Sequence, residues 1–174
     1  MVDFTNKEKW NSERLSAYHS TLIQRKIESQ ERLQSIKSEN AEHLELQNKI
    51  KQIEHILENI SKELYVRFEL GEESKPAEGM FSAFGYHVGE TKGLKQASRQ
   101  AILREIFECK KLPLVGGLSY VDEFGEAKSK KRYNKMYRCL NGFMSKAASE
   151  RAFYEWKDDK EFMEDYFKKD IVDT

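Results

Sequence analysis

Residues 1 to 70 contain neither glycine nor proline, the two residues that most reliably interrupt a helix. Through the same stretch apolar side chains return at heptad spacing. One row runs Leu15, Leu22, Ser29, Ile36, His43, Ile50, Leu57 and Leu64, and its companion runs Tyr18, Arg25, Arg32, Glu39, Leu46, Ile53 and Ile60. The two rows predict one unbroken helix over residues 1–71, with Thr5 or Asn6 as N-cap, Trp10 as an early apolar anchor and Gly71 as the stop. At 1.5 Å per residue such a helix is a rod of roughly 100 Å, which no small domain can cover.

From Leu46 through Ile50, Ile53, Leu57 and Ile60 to Leu64 the seam has no polar intruder, so these six residues are the expected oligomerisation contacts of a left-handed coiled coil. They mix Ile and Leu without a β-branched bias, and dimer, trimer and tetramer are not separated by the seam. The earlier half carries Arg25, Ser29, Arg32 and Glu39 where knobs belong, which predicts splaying or a change of register. Leu22, Leu33 and Leu44 recur every eleven residues and hint at a local hendecad. His43 on the seam reads as a residue that tunes register, not as a metal ligand.

The polar run Glu72-Glu73-Ser74-Lys75-Pro76 opens a linker over residues 72–79, and a small helical domain is expected over residues 80–174. Phe81 to Gly89 is aromatic and glycine-punctuated, as an extended stretch or turn would be. Gly85, Gly89 and Gly93 lack the Lys-Ser/Thr pair of a phosphate loop and suit close approach or positive φ. Three amphipathic helices follow, near 94–110, 128–148 and 150–169. In the first, Ile102, Ile106 and Phe107 face the core while Lys95, Arg99, Arg104 and Glu108 stay wet; in the others Tyr133, Met136, Leu140, Trp156, Phe162 and Phe167 are core anchors. The fold class is therefore all-α, a long N-terminal coiled-coil helix followed by a small helical C-terminal domain.

Thirty basic residues balance thirty acidic ones, so bulk charge names no partner. Local charge does. Lys128, Lys130, Lys131, Arg132, Lys135 and Arg138 form a run without an acid, interleaved with Tyr133 and Tyr137, and behind Ser129 as a cap. On a helix Lys128, Lys131, Lys135 and Arg138 share a face that attracts phosphate. Lys128, Lys131, Arg132, Tyr133, Lys135 and Arg138 are thus the candidate contacts for nucleic acid or a protein partner. The competing reading pairs them with the acidic tail, Asp158, Asp159, Glu161, Glu164, Asp165, Asp170 and Asp173.

No G-x-S-x-G, H-E-x-x-H, Cys/His zinc framework or Walker motif occurs, and the sequence points to no catalytic residue, metal ligand or cofactor. Asp158-x-Lys160 echoes a nuclease acid cluster, but on a predicted helix and not on the strand that chemistry needs. Cys109 and Cys139 read as reduced thiols, and the absence of a signal segment or an apolar run long enough to span a bilayer predicts a cytoplasmic protein with no membrane partner.

Residues 80–169 also carry Gly85-Tyr86-His87-Val88-Gly89, Gly93-Leu94, Arg99-Gln100-Ala101-Ile102-Leu103, Leu112-Pro113, Tyr120, Ser129-Lys130-Lys131-Arg132-Tyr133 and Trp156-Lys157-Asp158-Asp159. This succession resembles a helical domain of uncharacterised bacterial proteins. The resemblance implies a bacterial or mobile-element setting, where small modular proteins serve host conflict, and carries no activity across. The expected function is a non-enzymatic oligomeric scaffold or adaptor, assembled through residues 15–64 and binding a macromolecule with its C-terminal domain. The alternative is a nucleic-acid-binding protein of bacterial genome defence acting through residues 128–138, and the furthest alternative is a metal-dependent nuclease.

Overall fold

The structure, a computed structural model, describes residues 10–36, 41–69, 79–89, 93–113, 115 and 118–171. Among them are seven helices and no β-strand: α1 Ser12–Ser35, α2 Ala41–Glu69, α3 Met80–Ala83, α4 Gln96–Glu108, α5 Leu118–Asp122, α6 Lys130–Met144 and α7 Glu150–Tyr166. The chain is all-α, and no helix of the described residues is long and apolar enough to cross a membrane. Contacts divide it into two units, Met1–Gly85 with Pro113–Gly117, and Tyr86–Leu112 with Leu118–Thr174.

The single long rod is corrected in the first unit. Helix α1 ends at Ser35, where Ile36 turns to extended backbone at φ −109° and ψ 139° and donates its N–H back to Leu33 O. Helix α2 then runs antiparallel to α1. Arg67 donates to Trp10 O, Lys26 pairs with Glu54 at 2.9 Å, and Arg32 pairs with Glu42. The break falls where the seam had lost its knobs, between Arg32 and His43. A helix with Arg25, Arg32 and Glu39 on its seam gains little by continuing, whereas folding back lets the apolar halves of the seam bury each other.

That is where the six seam residues go. Ile53, Ile60 and Leu64 form one cluster with Trp10, Leu15, Tyr18 and Leu22 of the same chain, and Leu57 packs against it half-buried. Leu46 is buried as well, and Ile50 is half-buried. The heptad is thus used within one chain, and it no longer calls for a second copy. Ser29, a seam position without an apolar side chain, is buried with its hydroxyl donating to Arg25 O. Leu22 is buried, Leu33 half-buried and Leu44 exposed, so the eleven-residue spacing marks no common face. The expected caps at Thr5 or Asn6 and the stop at Gly71 lie outside the described residues; α1 is capped by Asn11, whose Oδ1 accepts from Arg14 N at 2.9 Å.

The aromatic stretch after Gly79 forms a short helix and then, of the two expected forms, a turn at Phe84 and Gly85. Met80, Phe81, Ala83 and Phe84 are buried, and α1 holds the turn through its polar side chains. Ser20 Oγ donates to Ala83 O at 2.6 Å and Gln24 Nε2 to Phe84 O at 3.3 Å. His19 lies edge-on to the Phe84 ring, and burial holds its imidazole down at a pKa of about 4, against a hydrogen bond to Ala83 that raises it.

In the second unit α7 packs against both α4 and α6. Ile102, Leu103, Ile106 and Phe107 of α4 are fully enclosed, Phe107 stacks on Phe167 at 4.4 Å, and Met136, Leu140 and Met163 complete the interior. The three helices start within two residues of the positions that apolar periodicity predicts, while α6 and α7 stop a few residues short. Trp156 is half-buried and tilted against Phe143, and both cysteines are free thiols.

Two stability measurements follow. Ile60→Ala should cost about 2–5 kcal/mol in urea unfolding, with a midpoint unchanged between dilute and concentrated protein; a concentration-dependent midpoint would return the seam to an intermolecular role. The His19 pKa is lower folded than unfolded, so its contribution is complete above pH 6.5 and is lost as pH falls toward about 4. Over that window the native chain should lose roughly 3 kcal/mol that His19→Gln does not lose; parallel pH profiles would contradict it.

Candidate functional site

Helix α6 begins as its sequence predicts. Ser129 Oγ accepts from Arg132 N at 3.1 Å and donates to Glu126 O at 2.8 Å, closing the first turn. The fifteen residues Lys130–Met144 include no Asp or Glu. Positive charge therefore accumulates along the helix, but its members do different things.

Lys130, Lys131 and Arg138 are exposed, and among the described residues none of them forms an ion pair. The Lys131 stem lies over Gly125, where an added Cβ would come within 2.9 Å of its Cδ. Arg138 Nε donates only to Asn134 O of its own helix at 3.3 Å. Lys128 is half-exposed and pairs with Glu108 at 3.0 Å. Lys135 is tied down: it pairs with Glu123 and lies 5.1 Å from the Tyr120 ring centroid and 5.7 Å from that of Phe124. The hydrogen bond and charge of Lys135 hold the Glu123 carboxyl below its ordinary range, helped by Arg138 and Lys131.

Two candidate contact residues are corrected. Arg132 is 2 % exposed and points inward, where its guanidinium donates to Ile106 O at 3.2 Å, Phe107 O at 3.4 Å, Cys109 O, and Gly125 O at 2.6 Å. Three of these are carbonyls from the C-terminal end of α4, which have no partner within their own helix. Arg132 thus caps α4 from a different helix. Burial presses its pKa down, opposed by Cys109 and Glu126. Tyr133 is also buried, stacked on Tyr137 at 5.8 Å, with burial pushing its hydroxyl up to about 12. Neither side chain is available to stack on a base.

The acidic tail does not neutralise this surface among the described residues. Glu161 pairs with Lys157 at 3.7 Å, Glu164 accepts from Tyr137 Oη at 2.7 Å, and Asp159 is withdrawn into the interior; Asp173 lies outside the described residues. Asp158 is exposed on α7, and Lys160 sits 4.7 Å from the Tyr137 ring centroid, so the Asp158-x-Lys160 string lies on a helix with its lysine already engaged. Among the described residues no three of His, Cys, Asp and Glu converge as metal ligands.

A second polar constellation was not legible as a site. Asp159 is fully buried, and its Oδ2 accepts from Tyr86 Oη at 2.5 Å and from Arg99 Nε at 2.7 Å. Arg99, expected in solvent, is 3 % exposed, donates to Leu94 O at 2.9 Å and lies 3.8 Å from Glu155. Glu155 accepts from Gly89 N at 2.8 Å and from Arg151 at 3.0 Å. Gly89 has φ +97°, and a side chain on Gly93 would meet Gly89 O at 2.0 Å, so these two glycines serve positive φ and close approach. Burial pushes the Asp159 carboxyl and Tyr86 hydroxyl up. For Arg99 burial works the other way and is outweighed by the hydrogen bond and charge of Asp159, so the guanidinium is held charged.

The signal for these residues is positional. Arg99 stands three, four and seven residues before Ile102, Leu103 and Ile106, and Asp159 stands three and four before Phe162 and Met163. A charge on an apolar stripe is buried with a partner or not at all. Chemically the pair anchors a loop to two helices and offers no open face to a substrate.

Asp159→Ala removes the hydrogen-bonded carboxylate from buried Arg99, leaving it only the longer approach to Glu155, and should destabilise the chain by about 3–5 kcal/mol, measured by urea unfolding. Arg132→Met frees the α4 carbonyls and should cost about 2–4 kcal/mol, whereas Arg138→Met should fall within about 0.5 kcal/mol of the parent. An Arg132 variant as stable as the Arg138 variant would contradict the capping role.

Comparison with family models, with curated proteins and with solved structures finds no match to this chain.

Proposed function

We propose that the protein is a non-enzymatic adaptor that binds a macromolecule of opposite charge through the exposed cations of α6. The observation that carries this reading is the exposure of Lys130, Lys131 and Arg138, which form no ion pair among the described residues, on a helix with no acid of its own. Solvated cations with no standing ion pair keep their attraction for an incoming polyanion, because no internal pair has to be broken first. The helical hairpin of the first unit serves as the structural arm. Its seam is engaged internally, and of the exposed apolar side chains of α2, Leu44 is separated from Tyr65 and Val66 by Lys51, His55 and Lys62, so the reading does not depend on self-association.

Two partner classes fit a surface of this kind, an acidic protein segment and a nucleic-acid backbone. The second is favoured by one feature: the exposed charges sit at separate places on the helix, Lys130 and Lys131 in its first turn and Arg138 about two turns on, which suits successive phosphates better than a single docking group.

Fluorescence anisotropy of a labelled acidic peptide and of a labelled oligonucleotide, each titrated with the full chain across a salt series, tests the reading. Lys130→Glu/Lys131→Glu/Arg138→Glu should weaken the ligand that binds by at least about tenfold and flatten its salt dependence. Failure of both ligands to bind at low salt, or full binding by the triple variant, would remove the proposal.

A further inference from the structure

The second unit gathers three helix ends. Arg132 and the Lys128 N–H, which donates to Phe107 O at 2.9 Å, join the C-terminal end of α4 to the N-terminal end of α6. The Phe107–Phe167 stack brings the C-terminal end of α7 to the same place. Tyr137 with Glu164, and Phe143 with Trp156, show α6 and α7 running antiparallel, which is why the start of one meets the end of the other. Each of the three ends carries two adjacent exposed lysines: Lys110 and Lys111 after α4, Lys130 and Lys131 in the first turn of α6, and Lys168 and Lys169 after α7.

Three further features add to this end. The buried Arg132 guanidinium is held by carbonyls, forms no ion pair with a carboxylate among the described residues, and has an Nε without an acceptor there. Its charge is left to act on the surface above it, together with the positive end of the α6 dipole. Glu108, the nearest acid of α4 to the surface, is occupied by Lys128, Glu105 is buried, and the exposed acids Glu126, Asp165 and Asp170 are fewer than the lysines. Finally, Tyr166 leaves 56 % of its surface exposed at the end of α7, with the Arg104 guanidinium 5.4 Å from its ring centroid and the Phe162 ring tilted against it at 4.6 Å.

We infer that this end of the second unit binds single-stranded nucleic acid, with backbone phosphates on the three lysine pairs and an unpaired base against Tyr166. The inference rests on the reading of α6 as a contact surface and moves the contact from the side of that helix to its first turn and two neighbouring ends. Point charges distributed over three elements match a run of phosphates, whereas one phosphorylated side chain calls for converging arginines that chelate it. A ring exposed beside those charges can stack only on a base that is not already paired within a duplex.

The test uses the full chain and a fluorescein-labelled oligothymidylate, with a duplex of matched length as comparison. The unmodified chain should bind the single strand more tightly than the duplex, with a logarithmic salt slope of about 0.7 per phosphate contacted. Lys110→Glu/Lys168→Glu/Lys169→Glu should weaken binding about a hundredfold and reduce that slope, more than Arg138→Glu on the side of α6 does, and Lys146→Glu, just past the opposite end of α6, should change it by no more than about twofold. Tyr166→Ala should weaken the single strand about tenfold with the slope unchanged. All these positions are exposed, and circular dichroism of each variant should match the parent.

Loss of binding in Arg138→Glu with none in the lysine triple would return the site to the side of α6, overturning this inference and leaving the proposed function intact. Tighter duplex binding with a silent Tyr166→Ala would overturn the single-strand assignment. No binding of either oligonucleotide at low salt, with the acidic peptide still bound, would overturn the nucleic-acid partner while the adaptor reading stands.

Discussion

The guanidinium of Arg132, enclosed by carbonyls from the end of α4 and from Gly125, is the contact on which the second unit most depends. A helix ends with four carbonyls that its own backbone cannot satisfy, and burying them unpaired costs free energy comparable to lost hydrogen bonds. Glu108 is followed at once by Cys109 and two lysines, with no glycine cap of the usual kind. The chain solves the problem from another helix, with a side chain whose planar fork can serve several acceptors at once. That solution fixes the start of α6 against the end of α4, and so decides which lysines become neighbours.

The first unit shows a different economy. Heptad spacing states only that two helical faces want each other, and it is silent on whether the second face belongs to another molecule. The choice is made by the cost of closing the connection. A short connection between two segments of one chain costs little loop entropy, while association of separate chains loses translational and rotational freedom. Trp10, Leu15, Tyr18 and Leu22 supply the partner face, so Ile53, Ile60 and Leu64 are buried without leaving the chain.

Buried charge links the two faces of the same physics. Arg99 is enclosed with Asp159 and Tyr86 because both donate to Asp159 Oδ2, and the cluster holds the Gly89 loop through Glu155. Lys130, Lys131 and Arg138 stay exposed and form no ion pair among the described residues. Two kinds of cation that look alike in the sequence are thereby sorted, one into scaffold and the other into surface. Arg132 and Tyr133 stand in the same basic run as Lys131, yet they fall on the buried side of α6 beside Met136 and Leu140.

The sequence by itself determined that the chain is helical, where α4, α6 and α7 begin within a turn, that Ser129 caps α6, and that α6 carries bases and no acid. These follow from local rules, apolar periodicity and side-chain capping, which act within a few residues. Only the tertiary structure decided that the seam of residues 46–64 closes on α1, that Arg99, Arg132 and Asp159 are interior, and that three lysine pairs far apart in sequence meet at one end. Those outcomes depend on which distant groups satisfy a buried charge or an orphaned carbonyl, and the partners lie 23 to 60 residues away, at Cys109 for Arg132 and at Asp159 for Arg99. Apolar spacing marks Arg99 and Asp159 for burial, but no local pattern names their partners, because a hydrogen bond is specified by position in space and not by separation along the chain.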